Sequence, residues 1–242
     1  MYNYYGYARG IDWSSLLYFL GIVVALISLF FSAKVSSTYK RISKDANSRG
    51  ISGQEAAYRI LAQNGLSSIP ILPISGTLTD NYNPTNRSLN LSQSVYGGRD
   101  IASVAVAAHE CGHAIQHATE YKPLLLRSRL VPAANLGSNA GIVLFMIGLL
   151  LNIGNSTFLM DLGIFLFSIS VLFHVVTLGV EFDASRRGLQ ALTASGILYE
   201  EEMPKARKML RVAAYTYLAA MSSAVIQLLR LVAIRNSRND RR

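Results

Sequence analysis

The chain has 242 residues, 51% of them apolar and only 15% charged, and its mean hydropathy is positive at +0.29. That balance excludes an ordinary soluble domain of this size and points to membrane segments. The formal charge of +9 does not indicate nucleic acid, because no aromatic-interleaved basic groove exists and the basic residues cluster beside apolar runs, as membrane topology requires.

The first apolar run, residues 16–33 (LLYFLGIVVALISLFFSA), is uncharged and long enough to cross a hydrocarbon core, so a transmembrane helix is expected over 14–33. Its flank carries only Arg9 against Asp12, and its core exceeds the ~7–15 residues of a signal h-region, which favours a retained anchor. Lys34, Lys40, Arg41, Lys44 and Arg49 follow, against one acid, Asp45. The positive-inside rule therefore puts the next segment, 34–129, in the cytoplasm and the N-terminus outside.

Within that segment, residues 52–55 (SGQE) read as a capping box opening a short helix that Gly65 closes. Residues 69–74 carry Pro70 and Pro73, and so form an extended piece but not a central strand. Residues 77–79 and 88–91 flank the turn-rich 80–84 (DNYNP), which predicts a hairpin. The stretch 86–91 (NRSLNL) reads either as an edge strand able to pair with an extended peptide or as an ordinary hairpin strand.

Asp100 is positioned as the N-cap of a helix that carries 107–113 (AAHECGH), an HExxH motif. Residues four apart lie on one helical face about 6 Å apart along the axis, so His109 and His113 can each offer a ring nitrogen to one metal ion. Glu110 is then placed as a general base for hydrolysis. The preceding residues are small or branched and apolar, so these polar groups sit on a helix that otherwise reads as buried, where they need a partner. The single cysteine, Cys111, lies inside the motif and excludes an intramolecular disulfide, which suits a reducing compartment.

Two further spans are expected at 131–153 and 157–180, joined by an uncharged loop over 152–157. Residues 137–141 (GSNAG) give a small-xxx-small pattern that permits close helix contact. A cytoplasmic segment, 181–211, follows with Glu181, Asp183, Ser185, Arg186 and Arg187. A fourth span at 212–234 has the length, but it leads into Arg235, Arg238, Arg241 and Arg242, which would face outward against the charge rule. A surface-lying or re-entrant fourth helix is the alternative.

A catalytic zinc takes three protein ligands. Glu181 is the favoured third donor, since two crossings between His113 and Glu181 return the chain to the same side. His117 lies about 12 Å from His109 along one helix, could be the third donor only if the helix broke after His113, and otherwise fits a substrate-facing or surface role. His174 lies deeper in the third span and suits a hydrogen bond within the bundle. Tyr96 and Tyr121 are both open as oxyanion stabilisers. Two rivals to an enzyme are a structural zinc that ties the insertion to the bundle and a metal transporter, the latter poorly supported by spans offering only His174 and Asp161.

With 92–96 (SQSVY), 104–116 (VAVAAHECGHAIQ) and 177–186 (TLGVEFDASR), the chain resembles the YugP-like neutral zinc metallopeptidases of bacterial membranes. The resemblance runs from the first span to the fourth. It implies a mainly α, multi-span helical bundle of about four helices with a small α+β cytoplasmic insertion. It further implies Zn²⁺ on His109, His113 and Glu181, with Glu110 catalytic, in a gluzincin-like site at the cytoplasmic face of the cell membrane. Its partners would be protein or peptide substrates, membrane proteins among them, and the lipid bilayer, with no nucleic acid. Where gluzincins carry ExxxD this chain has Ser185 four residues after Glu181, so Asp183, Ser185, His117 and His174 are the candidates for supporting or substrate-contacting roles.

Overall fold

A computed structural model describes residues 13–151 and 157–239. The flanking Arg9 and Asp12, most of the uncharged loop at 152–157, and Arg241 and Arg242 lie outside the described residues. Among the described residues the elements are α1 (Trp13–Ile42), α2 (Gly53–Gln63), β1 (Ile71–Ile74), β2 (Asn81–Asn83), β3 (Ser88–Ser92), α3 (Gln93–Gly97), α4 (Ile101–Ala118), α5 (Lys122–Leu151), α6 (Phe158–Ala194) and α7 (Met203–Asn239).

Four of these helices, α1, α5, α6 and α7, are long and apolar enough to cross a membrane. Their outward faces carry large apolar side chains with no protein cover, such as Phe19, Leu26 and Leu29 on α1, Val143 on α5 and Phe165 on α6. Such a surface suits hydrocarbon rather than water. At 37 residues each, α6 and α7 are about 55 Å long and outrun a core of about 30 Å. The expected segment 181–211 therefore starts and ends inside these two helices. It is the end of α6, a turn at Gly196 with φ of +56°, and the start of α7.

Helix α5 also begins earlier than the expected 131, at Lys122, with Pro123 in the first turn, where its missing N–H costs nothing, and with Pro132 inside. It packs on α6 through glycines. Added Cβ atoms at Gly137 and Gly141 would meet the carbonyl oxygens of Leu166 at 2.2 Å and Gly163 at 2.9 Å. The small-xxx-small pattern thus brings two backbones together. At the other end of the bundle Arg235 pairs with Asp161 at 2.8 Å, and Arg238 donates to the last carbonyls of α5, Gly148 and Leu149. These contacts give two of the arginines that broke the charge rule, Arg235 and Arg238, local partners, and α7 runs as one continuous helix.

The insertion shares one core with the end of α6 and the start of α7, which add Leu192, Met203 and Met209 to it. Residues Ile101, Ala102, Val104, Ala105, Ala107 and Ala108 are nearly or fully buried, packed by Ile60 and Leu61 of α2 and by Leu89 and Leu91 of β3. Helix α2 starts with the expected capping box between Ser52 and Glu55. It ends in a Schellman turn, in which the Gly65 N–H bonds to Ala62 O and the Leu66 N–H to Leu61 O. The sheet order is β1-β3-β2, with β1 parallel and β2 antiparallel to β3.

That order overturns one expectation and decides between the two readings of 86–91 in favour of the hairpin strand. The first hairpin strand is Asn81–Asn83 rather than 77–79, because Gly76 and Leu78, with φ of +104° and +55°, turn the chain there. And β3 is the central strand, not an edge, since the proline-bearing β1 pairs along its other side. The edge nearer the HExxH helix belongs to β2.

Candidate metal centre

Helix α4 starts as expected at Asp100, whose side chain accepts from the Ser103 N–H. Its buried apolar run fixes rotation in the core, and this aims His109 and His113 along one outward stripe with ring centroids 4.9 Å apart. Helix α6 crosses that stripe at backbone contact. A Cβ on Gly112 would meet the Ala184 carbonyl oxygen at 2.2 Å, and one on Gly188 would meet the Ala108 carbonyl oxygen at 2.6 Å. One glycine on each helix sets the spacing.

The crossing delivers Glu181. Its Oε2 lies 3.3 Å from His109 Nε2 and 3.4 Å from His113 Nε2, and one donor atom from each of the three residues lies within 4.8 Å of the others. The far ring nitrogens are held elsewhere. His109 Nδ1 is 3.1 Å from Ser185 Oγ, and His113 Nδ1 is 3.0 Å from Gln116 Oε1. A ring donating from Nδ1 keeps its Nε2 lone pair for a metal.

Behind Gln116, its Nε2 donates to Asp183 Oδ2 at 2.9 Å and to the Val180 carbonyl at 2.9 Å. Asp183 is itself gripped by Arg186 and Arg187. Asp183 therefore reaches His113 through an amide, while Ser185 serves His109 directly.

This donor set fits zinc. Glu181 Oε2 is buried and makes no hydrogen bond, although two imidazole nitrogens face it. Two nitrogens and one carboxylate oxygen around one point are what a catalytic zinc takes.

Glu110 is buried beside the triad, and its Oε2 accepts the backbone N–H of Tyr82 on β2 at 2.9 Å. Burial pushes its carboxyl above the ordinary range, against the pull of the two histidines. The triad stands between two cavities. One of about 380 Å³ has apolar walls including Val35, Val106 and Met209, and one of about 160 Å³ is walled by Tyr82, Arg127 and Ser128.

Tyr217 of α7 lines both cavities, as Glu181 does. Neither tyrosine weighed from the sequence is there. Tyr96 packs on the insertion core, and Tyr121 lies 5.2 Å under the Arg187 guanidinium. Arg127 enters the smaller cavity with a buried Nε that has no hydrogen-bond partner. No motif marks Tyr217 or Arg127. The nearest signal is that polar Tyr215, Thr216 and Tyr217 interrupt a stretch that otherwise reads as a span.

His117 is placed apart, with Nδ1 2.8 Å from the Tyr82 hydroxyl in a different cavity. His174 stands against Phe173, 5.6 Å between centroids, and lines neither cavity at the triad.

Membrane-length helices carrying a two-histidine, one-carboxylate centre with an adjoining glutamate define a membrane protein of the zinc metallopeptidase class. The chain belongs to the family described as "Putative neutral zinc metallopeptidase", which matches residues 17–236. It is also 43% identical over 218 residues to the "Putative membrane protease YugP" of Bacillus subtilis (strain 168), covering 89% of this chain and 96% of that protein. No solved structure matches it.

Proposed function

We propose that the chain is a gluzincin-type peptidase that hydrolyses peptide bonds at the cytoplasmic face of the membrane. The observation that carries this reading is the open triad. Three protein donors converge, a fourth polar group, Glu110, stands beside them rather than among them, and cavities adjoin on both flanks. A structural zinc is closed by four protein ligands instead.

In this reading His109, His113 and Glu181 hold the ion, which when bound supplies Lewis acidity toward water and a carbonyl oxygen. Glu110 has one oxygen fixed by the Tyr82 N–H, so its Oε1 is the atom that takes the proton of the attacking water and returns it to the leaving amine. Its burial favours that role, because a carboxylate in an apolar setting is a stronger base than one in water. Tyr217 is placed to donate a hydrogen bond to the oxyanion. The β2 edge, Asn81–Asn83, is the strand along which an extended substrate would pair.

The cytoplasmic side is supported by charge. Lys34, Lys40, Arg41, Arg186, Arg187, Arg207 and Arg211 gather at the metal end of the helices, whereas at the opposite end Arg235 is ion-paired and Arg238 caps a helix.

The test is Glu110→Gln in purified protein. Zinc content should stay near one per chain while peptide hydrolysis falls by at least about 10³-fold, the general-base effect compounded with loss of charge. Unchanged hydrolysis would remove Glu110 as the base, and hydrolysis absent from wild type as well would favour a structural zinc.

A further inference from the structure

The larger cavity at the metal centre does not end there. It shares Ser185, Leu210 and Ala214 with a second cavity of about 400 Å³ between α6 and α7. The two adjoin along these shared walls, and the second lies on the far side of them from Glu110. Phe182, Leu189 and Met203 give the second cavity an apolar floor, and Arg207 and Arg211 stand on its rim, one turn apart on α7 and exposed.

Three nearby cations are engaged. Arg186 and Arg187 hold Asp183, and Lys205 pairs with Asp45 at 2.9 Å. Arg207 and Arg211 have no acidic partner among the described residues. A pair of unpaired guanidiniums over an apolar groove fits a ligand that is apolar at one end and anionic at the other.

The direction of the groove selects the ligand. Its α6 wall runs from Phe182 to Thr193, beyond Glu181 and away from the apolar stretch 158–180. An acyl chain would have to run the opposite way, toward hydrocarbon. Along α7, Arg211 and Arg207 lie about 9 Å and 15 Å from the level of Tyr217, distances an extended peptide covers in about three to five residues.

We infer that this pair of cavities selects peptides with a bulky apolar residue beside the scissile bond and acidic residues three to five positions further along. This rests on the peptidase reading and adds the substrate class to it. The apolar side chain fills the space walled by Val106, Met209 and Leu210, and the carboxylates meet Arg207 and Arg211.

The experiment uses full-length, zinc-loaded protein in detergent and three fluorescent peptides. All carry Leu at the cleavage point, with Glu, Ser or Lys pairs three to five residues away. Wild type should cleave the Glu peptide at least about tenfold more efficiently than the Lys peptide, through KM. Arg207→Glu/Arg211→Glu should reverse that order, with zinc content unchanged. Ala214→Trp, which blocks the way between the two cavities, should slow cleavage of all three peptides relative to a fourth, the Ser peptide with Ala at the cleavage point.

Anisotropy of the same peptides on Glu110→Gln protein reads binding without turnover, and should show the same order. Equal binding of Glu and Lys peptides overturns the inference even if cleavage persists, and so does an arginine pair that alters only adsorption to phosphatidylglycerol vesicles. Absent cleavage with the binding order intact counts against the peptidase reading while upholding the groove.

Discussion

Ser185 Oγ lies 3.1 Å from His109 Nδ1, so one stretch of α6 supplies both the carboxylate at the metal point and the group that orients a histidine there. Gln116 does the same for His113 from within α4. Removing either anchor frees a ring to rotate and to change tautomer. Ser185→Ala and Gln116→Leu should each weaken zinc binding by about 10–100-fold, measured by competition with a chromogenic chelator, with the fold retained.

The third donor is tested by opposite demands on two residues. Glu181→Ala removes the oxygen facing both Nε2 atoms and should lose zinc in metal analysis. His117→Ala breaks only the bond to the Tyr82 hydroxyl and should keep it. The reverse result would return Glu181 to a plain interfacial charge.

The α4–α6 crossing makes Gly112 irreplaceable. A methyl there must displace the Ala184 carbonyl, an overpacking that costs about 1–3 kcal/mol and moves Glu181 away from the histidines. Gly112→Ala should lower both the melting temperature and zinc content. Gly179→Ala, whose Cβ would meet nothing within 4 Å, should gain about 0.5–1 kcal/mol from helix propensity.

Glu202 gives a pH signature. Burial works to raise its carboxyl, but N–H bonds from Ser48 at 2.7 Å and Tyr199 at 2.8 Å outweigh this and hold it below the usual range. A depressed folded value stabilises above the ordinary pKa of about 4.3, and that stability is lost as pH falls through the folded value. Glu202→Gln should therefore melt several degrees below wild type at neutral pH, with the gap closing in acid.

Topology is read with a thiol probe. Cys111 is buried, so an introduced Lys44→Cys is the reactive thiol in the labelling. An impermeant maleimide should miss it in intact cells and reach it after lysis. Labelling from outside would reverse the proposed orientation.

How much of this was legible depends on range. The histidines and Glu110 follow from one helical period, and the capping box at Ser52 from a local motif, so both were readable from neighbours in the chain. Glu181 was readable for a different reason, the parity of two apolar stretches. Strand order was not, because Leu89 and Leu91 point into the core whichever partner lies beside β3. Nor were Tyr217 and Arg127. Each sits on a long helix with no motif around it, and only the packing of α5 and α7 against α6 carries it to the centre. Ser185 was visible as a departure from ExxxD, but its hydroxyl needed the crossing at Gly112 to acquire a purpose.

The donors are also separated in time. His109 and His113 leave the ribosome before the α5–α6 hairpin, and Glu181 emerges only near its end. At about 5–20 residues per second, several seconds pass with a two-donor chain that holds zinc weakly. Only when α6 has returned along α5 and seated its glycine on α4 does the third donor arrive, with Tyr217 later still. The third donor thus arrives only after α1, α4 and α5 have been made, and in the proposed reading the half-made chain carries no finished hydrolytic site.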